Sequence, residues 1–167
     1  MLRKTALIVV GLSVLVGSAL VGGALATPSS GVSAETARGP LVDRPLDVNM
    51  KFDNGGKVHL KSKGPVEVAV QRIVAVPGAT FGWHSHPGPT IVTVFQGTLT
   101  LYHYEDCAHG IDYAAGKSFS NLPWEFHLAK NNGTTDLVVY ASYFVPLKTP
   151  AVGLRIDQPS PGLTCPQ

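Results

Sequence analysis

The sequence predicts an all-β protein, an antiparallel barrel or sandwich. Three observations carry this reading. β-Branched and aromatic residues gather in short runs, such as "TIVTVF" (Thr90–Phe95), "TLTLYHY" (Thr98–Tyr104) and "DLVVYASYFVP" (Asp136–Pro146). Gly, Pro and Asn turns separate those runs at close spacing. No window shows a sustained helical stripe with caps, and no internal repeat is found. Many short strands between turn signals are the pattern of closed or layered antiparallel sheets.

The first segment belongs to a different class. Arg3 and Lys4 precede an apolar, uncharged run from Leu7 to Val21, and "ALA" follows at Ala24–Ala26. A positive start, an apolar middle and small residues at the end make a secretory signal over residues 1–26. Cleavage after Ala26 is expected, with Ala34 as second choice. The alternative is an uncleaved membrane anchor, since the run nearly reaches bilayer length. Residues 27–42, small and polar and broken by Pro and Gly, read as a flexible linker. Residues 43–167 read as one domain with a Pro-rich C-terminal tail.

Within that domain, Val58–Leu60 is a strand candidate. "VEVAVQRIVAV" (Val66–Val76) starts with alternation at Val66, Val68 and Val70, then slips phase near Gln71–Arg72, which suggests a bulge. Gln96–Gly97 between two strong strands reads as a tight hairpin. Asn131–Gly133 is a turn before the Asp136–Pro146 strand. Shorter candidates lie at Ile111–Tyr113, Ser118–Phe119 and Phe126–Ala129.

Charge excludes one function class. Residues 1–26 hold two of the thirteen basic residues and none of the eleven acids, so the remainder is formally neutral. There is no basic stripe with interleaved aromatics, and nucleic-acid binding has no support. The two cysteines, Cys107 and Cys165, suggest one disulfide in an exported chain, pinning the tail to the body. Two unlinked thiols, or Cys107 as a metal ligand, are the alternatives.

Six histidines are present. His59 and His109 sit near turns and read as solvated. His103 shares the Leu99/Leu101 face by alternation and reads as partly buried with a hydrogen-bond partner. His84 and His86 differ. Residues i and i+2 of a strand point to one face, so both imidazoles can reach one ion at a ligand distance of about 2 Å. Gly78 and Gly82 let the strand bend, and Pro87, Gly88 and Pro89 stiffen its exit. His127, on a later short strand, is the candidate third ligand. Phe81, Trp83, Tyr102, Tyr104 and Trp124 are candidates for an apolar mouth around a small organic ligand.

These spacings resemble the cupins. The first cupin motif runs Gly, five residues, His-x-His, three or four residues, Glu, six residues, Gly; here Gly78, His84, His86 and Gly97 keep it. The second runs Gly, five residues, Pro-x-Gly, two residues, His, three residues, Asn; Gly116, His127 and Asn131 keep it, with Pro123 displaced by one position. Cys107, "RID" (Arg155–Asp157) and the Pro-rich end with Cys165 look similar to small exported cupins. The resemblance covers roughly Val66 to Val145. It implies a double-stranded β-helix, a jelly-roll barrel, with His84, His86 and His127 facing its mouth.

The departure lies at Thr90, where the motif has glutamate. Three neutral histidines leave a divalent ion its full charge, which favours anionic substrates or a more acidic bound water. Thiol dioxygenases look similar in using three histidines. Glu125, two residues before His127, could replace the ligand or act as acid/base; its alternative is a surface position in the Pro123 turn. Imidazole suits Zn, Cu, Fe or Ni, and the family resemblance adds Mn. The expected protein is therefore a secreted cupin that binds a divalent transition metal and a small molecule. Three functions stay open: a metal-dependent enzyme of dioxygenase, isomerase or hydrolytic type; a non-catalytic ligand or metal module; and a barrel with a decayed site. A homodimer is compatible, and membrane contact is expected only through an uncleaved N-terminal segment.

Overall fold

The computed structural model describes residues 26–41, 46–162 and 164–167. The signal or anchor segment lies outside them, apart from Ala26. No helix among the described residues is long and apolar enough to cross a membrane. The architecture is a nearly closed jelly-roll barrel, as the resemblance implied. Its strands are β1 (Ser30–Pro40), β2 (Asp47–Lys51), β3 (Lys57–Lys61), β4 (Val66–Ser85), β5 (Thr90–Gln96), β6 (Thr98–His103), β7 (Asp106–Ala114), β8 (Ser118–Asn121), β9 (His127–Lys130), β10 (Leu137–Pro146) and β11 (Ile156–Asp157). The sheet order is β7-β6-β9-β4-β10-β5-β8, with β1 and β11 also on β4.

The long strand β4 organises the molecule. Its first half pairs with β1 and β10, its second with β9 and β11. Bulges near Thr80 bend it between the two. The expected bulge at Gln71–Arg72 is absent, since pairing with β10 runs unbroken from Val66 to Ala75. The phase of β4 is instead the reverse of the valine pattern. Glu67, Ala69, Ile73 and Ala75 are buried, and Val70 and Val76 are exposed. Small inward side chains leave room inside the barrel.

Two further expectations are corrected. Most of the expected linker is not one: Ser30–Pro40 is a strand that pairs with β4 from Glu67 to Thr80. Its small polar residues have weak intrinsic preference, and an available strand edge overrides it. The nine-stranded sheet therefore begins at Ser30. Gln96–Gly97 does not close a hairpin either. β5 pairs with β10 and β8, while β6 pairs with β7 and β9. The turn carries the chain from one wall of the barrel to the other, with Gly97 at φ 80°, a left-handed value that glycine adopts without strain.

The main core fills the barrel with Ile73, Val92, Val94, Leu99, Leu101 and Val139 among others. A second cluster lies outside it, where Trp83 and Leu128 pack with Cys165, Tyr102 and Cys107. Cys107 and Cys165 are joined by a disulfide, and Trp83 Nε1–H donates to the Pro166 carbonyl at 2.9 Å. The tail is pinned to the body as expected, over Trp83. β2 and β3 form a separate, exposed hairpin.

Candidate metal centre

The bend in β4 carries His84 and His86 into the barrel, and β9 brings His127 directly opposite His84 in register. Their ring centroids are 4.4 Å apart for His84–His127, 4.9 Å for His84–His86 and 5.1 Å for His86–His127. One ligand nitrogen from each lies within 4.8 Å of the others. All three side chains are buried.

Backbone carbonyls set the tautomer of each ring. His84 Nδ1 donates to Gly82 O at 2.8 Å, His86 Nδ1 to Leu154 O at 2.8 Å, and His127 Nδ1 to Glu125 O at 2.9 Å. A carbonyl only accepts, so each Nδ1 carries the proton and each Nε2 carries the lone pair. Such outer hydrogen bonds orient metal-ligating histidines and raise their basicity as ligands. Burial, with mutual repulsion among the rings, lowers the His84 pKa well below the usual value. Burial likewise lowers His86 to about 4 and His127 to about 3. The rings are neutral near pH 7, the state in which imidazole binds metal.

The local sequence explains these positions. Gly82 stands where β4 turns past the N-terminal segment. Its φ is 66°, and a Cβ there would lie 2.0 Å from Thr27 O. Trp124, three residues before His127, holds φ 62° at the spacing where the second motif has glycine. Its N–H donates to His86 O at 2.8 Å, which ties the two motifs together.

The triad separates two spaces. An inner chamber of about 40 Å³ is lined by the three histidines, Thr90, Asn121 and apolar barrel residues, room for only a few water-sized groups. An outer cavity of about 530 Å³ meets His84 and His86 from the other side. β1, Tyr143, Leu154, Arg155 and Asp157 help to line it. Among the described residues, three buried side-chain polar atoms lack a partner: Thr90 Oγ1, Asn121 Oδ1 and Arg155 Nε. All three residues border these two spaces. Buried polar groups are nearly always satisfied, so a cluster of orphans around three convergent lone pairs fits a site for an ion and its ligands. Asn121 Nδ2 lies 3.2 Å from His127 Nε2, on the lone pair a metal would take.

Glu125 is not part of this group. Its Oε1 lies 2.9 Å from His103 Nδ1, and its Oε2 accepts from Leu122 N at 2.7 Å. The residue serves His127 through its backbone carbonyl instead. His103 is half-buried with that partner, as expected, and His59 and His109 are largely exposed. Of the aromatic candidates, only Phe81 lines the spaces beside the triad. Trp83 and Tyr102 belong to the outer cluster, Tyr104 stacks edge-on against Trp83, and Trp124 is exposed. The reading of the residues missed Tyr143, Asn121 and the role of β1. Arg155 was noted only for the "RID" pattern.

A jelly-roll barrel with three neutral histidines converging inside its mouth is positioned to hold a metal ion. The family model described as "Cupin domain" matches residues 71–143, the stretch from β4 to β10 that carries all three histidines. Solved structures of similar shape include an oxalate oxidase (23% identity, 48% of this chain and 46% of that chain, TM-score 0.42). The polyketide cyclase RemF from Streptomyces resistomycificus is another (12% identity, 46% and 54%, TM-score 0.42). A cupin superfamily protein from Desulfitobacterium hafniense is a third (14% identity, 62% and 79%, TM-score 0.40). The match spans less than half the length of the oxalate oxidase chain. No curated protein matches the sequence.

Proposed function

We propose that this chain is an exported cupin that holds one divalent transition metal through Nε2 of His84, His86 and His127, and binds a small molecule at that ion. The observation that carries the reading is the set of three Nδ1-to-carbonyl bonds, which leaves three lone pairs converging in a buried site. The disulfide and the N-terminal apolar run support export. Zn, Cu, Fe and Ni suit the imidazole set, and Mn enters by family resemblance.

When bound, such an ion would supply Lewis-acid chemistry at the three Nε2 atoms. The protein's own part is to orient the three rings and keep them neutral. Turnover of the dioxygenase, isomerase or hydrolytic kind needs a proton acceptor near those atoms. Glu125, the sequence's candidate, is occupied by His103 and Leu122. That favours binding without turnover as the second reading.

Elemental analysis of purified protein, beside His84→Ala and His127→Ala, tests the proposal. One equivalent of metal is expected in the wild type and well under a tenth of that in each variant. A folded wild type that takes up no metal from stoichiometric Zn, Mn, Fe, Ni or Cu would overturn it.

A further inference from the structure

We propose that Asn121 is a fourth protein ligand of the metal centre, supplying its side-chain Oδ1 in place of the carboxylate that Thr90 lacks. The inference rests on the three-histidine reading above and adds a residue of β8 to it.

Distance is the first argument. The Asn121 amide nitrogen lies 3.2 Å from His127 Nε2. That ring carries its proton on Nδ1, which donates to Glu125 O. Nε2 is therefore an acceptor, and in the metal-free site the amide NH2 group is its donor. Two ligand atoms of one ion, each about 2.0–2.2 Å from it, lie about 2.9–3.4 Å apart in octahedral or tetrahedral order. The amide atom that faces His127 thus already stands at the separation of two ligands that share a metal. The two ends of an asparagine amide have nearly one shape. A half-turn about Cβ–Cγ brings Oδ1 to the place that Nδ2 holds.

The state of that oxygen is the second argument. Asn121 is 2% exposed, and its Oδ1 is buried without a partner. An asparagine kept only to cap His127 leaves this carbonyl unpaired, which buried polar groups rarely are. As a ligand it is satisfied. Thr90 stands opposite Asn121 in register between β5 and β8, so the two side chains are neighbours on one face. Thr90 Oγ1 is the second orphan beside the inner chamber. It becomes an acceptor for the NH2 group after the half-turn, so one rotation gives partners to both orphans.

The chain fastens Asn121 in this position. β8 ends on it, and Leu122 N donates to Glu125 Oε2 at 2.7 Å to close the turn that follows. Trp124 N donates to His86 O at 2.8 Å, which ties that turn to the strand of the first two ligands. An amide oxygen is a neutral donor. It completes four protein donors without cancelling charge on the ion, as the motif glutamate would.

Zinc and cobalt(II) binding to the purified protein test the proposal. Chelator competition reads zinc affinity, and the visible ligand-field bands of the cobalt form read the donor set. Asn121→Leu removes the amide at similar volume. Its zinc affinity should fall at least about tenfold, a scale already reached on losing an outer partner of a ligand, and its cobalt bands should move. Asn121→Asp keeps an oxygen at the same place. It should bind zinc more tightly than the wild type, with cobalt bands unlike those of the wild type or of Asn121→Leu. An asparagine that only caps His127 competes with the metal, so Asn121→Leu would then bind zinc as tightly as the wild type or more tightly, with wild-type bands. That result overturns the proposal and leaves the three-histidine site standing. Where Asn121→Leu does not fold, Asn121→Asp decides: wild-type cobalt bands overturn the proposal, and shifted bands with tighter zinc support it. A wild type that takes up neither metal overturns the metal site and this inference together.

Discussion

Acidifying the metal-free barrel should unfold it in a pH range where ordinary carboxylates are still ionised. The perturbation acts on His86 and His127. Burial holds their folded values at about 4 and about 3, against about 6.5 in an unfolded chain. The folded values lie below the unfolded ones, so the unfolded chain binds more protons and stability falls as pH falls. The contribution is complete above about pH 6.5 and is lost progressively as pH drops toward the folded values. Between pH 7 and pH 5 each ring removes about 2 kcal/mol, so the pair removes about 4 kcal/mol. His84, also lowered by burial, adds in the same direction. Glu67 does not interfere, because Arg38 holds it below the usual carboxylate range. Domain stabilities are about 5–15 kcal/mol, so this is a large fraction. Urea denaturation of chelator-treated protein at the two pH values is the assay. The midpoint should drop by at least about 2 M for a slope near 2 kcal/mol per molar, and His127→Gln should lose between about a third and a half of the response. Equal midpoints at pH 7 and pH 5, or a full response in His127→Gln, would refute neutral buried rings as the cause.

Two more predictions probe the walls of the site. Thr90→Val removes a fully buried hydroxyl without a partner and should stabilise the metal-free protein by about 1 kcal/mol, read by urea denaturation; a loss would mean the hydroxyl is satisfied. Thr90→Glu supplies the carboxylate of the first motif. Chelator competition should show metal held at least tenfold more tightly, with the metal-free barrel weakened by a buried charge; unchanged affinity would show that position 90 does not reach the ion. Cys107→Ser with Cys165→Ser opens a loop spanning 58 residues and should cost up to about 4 kcal/mol by loop entropy. Trp83 fluorescence should shift as the tail leaves it, and an unchanged emission would place the tail's anchor elsewhere.

The triad was legible because its information is local in two places. His84 and His86 share a face by strand period, and His127 keeps its spacing to Gly116 and Asn131. The strands β5, β6 and β10 were equally plain from their β-branched runs. What failed was everything set by partners distant in sequence. Turn chemistry at Gln96–Gly97 cannot say whether β5 and β6 pair, because β8, β9 and β10 compete for the same edges. The valines of β4 suggested the wrong inner face, since the barrel needs Ala69 and Ala75 inside to keep its space. Ser30–Pro40 carries no strand signal and becomes a strand only because β4 offers it an edge. Glu125 looked like a ligand by phase, yet β9 begins only at His127, so alternation does not reach back to it.

The site is divided between two kinds of chain. The metal-facing rings sit on β4 and β9, deep in the barrel and locked by Gly82, Glu125 and Leu154 carbonyls. The outer cavity draws part of its polar lining from the ends of the described chain, Ser29 and Ser33 on one side and Arg155 and Asp157 on the other. These ends also hold each other: Thr27 N donates to Gln158 O at 3.1 Å, and Thr27 Oγ1 accepts from Trp83 N at 2.6 Å. Substitutions at Arg155 or Ser33 can therefore change what enters the cavity without moving a ligand nitrogen. Leu154 is the exception that couples the two. Its carbonyl orients the His86 ring, and the same residue lines the outer cavity.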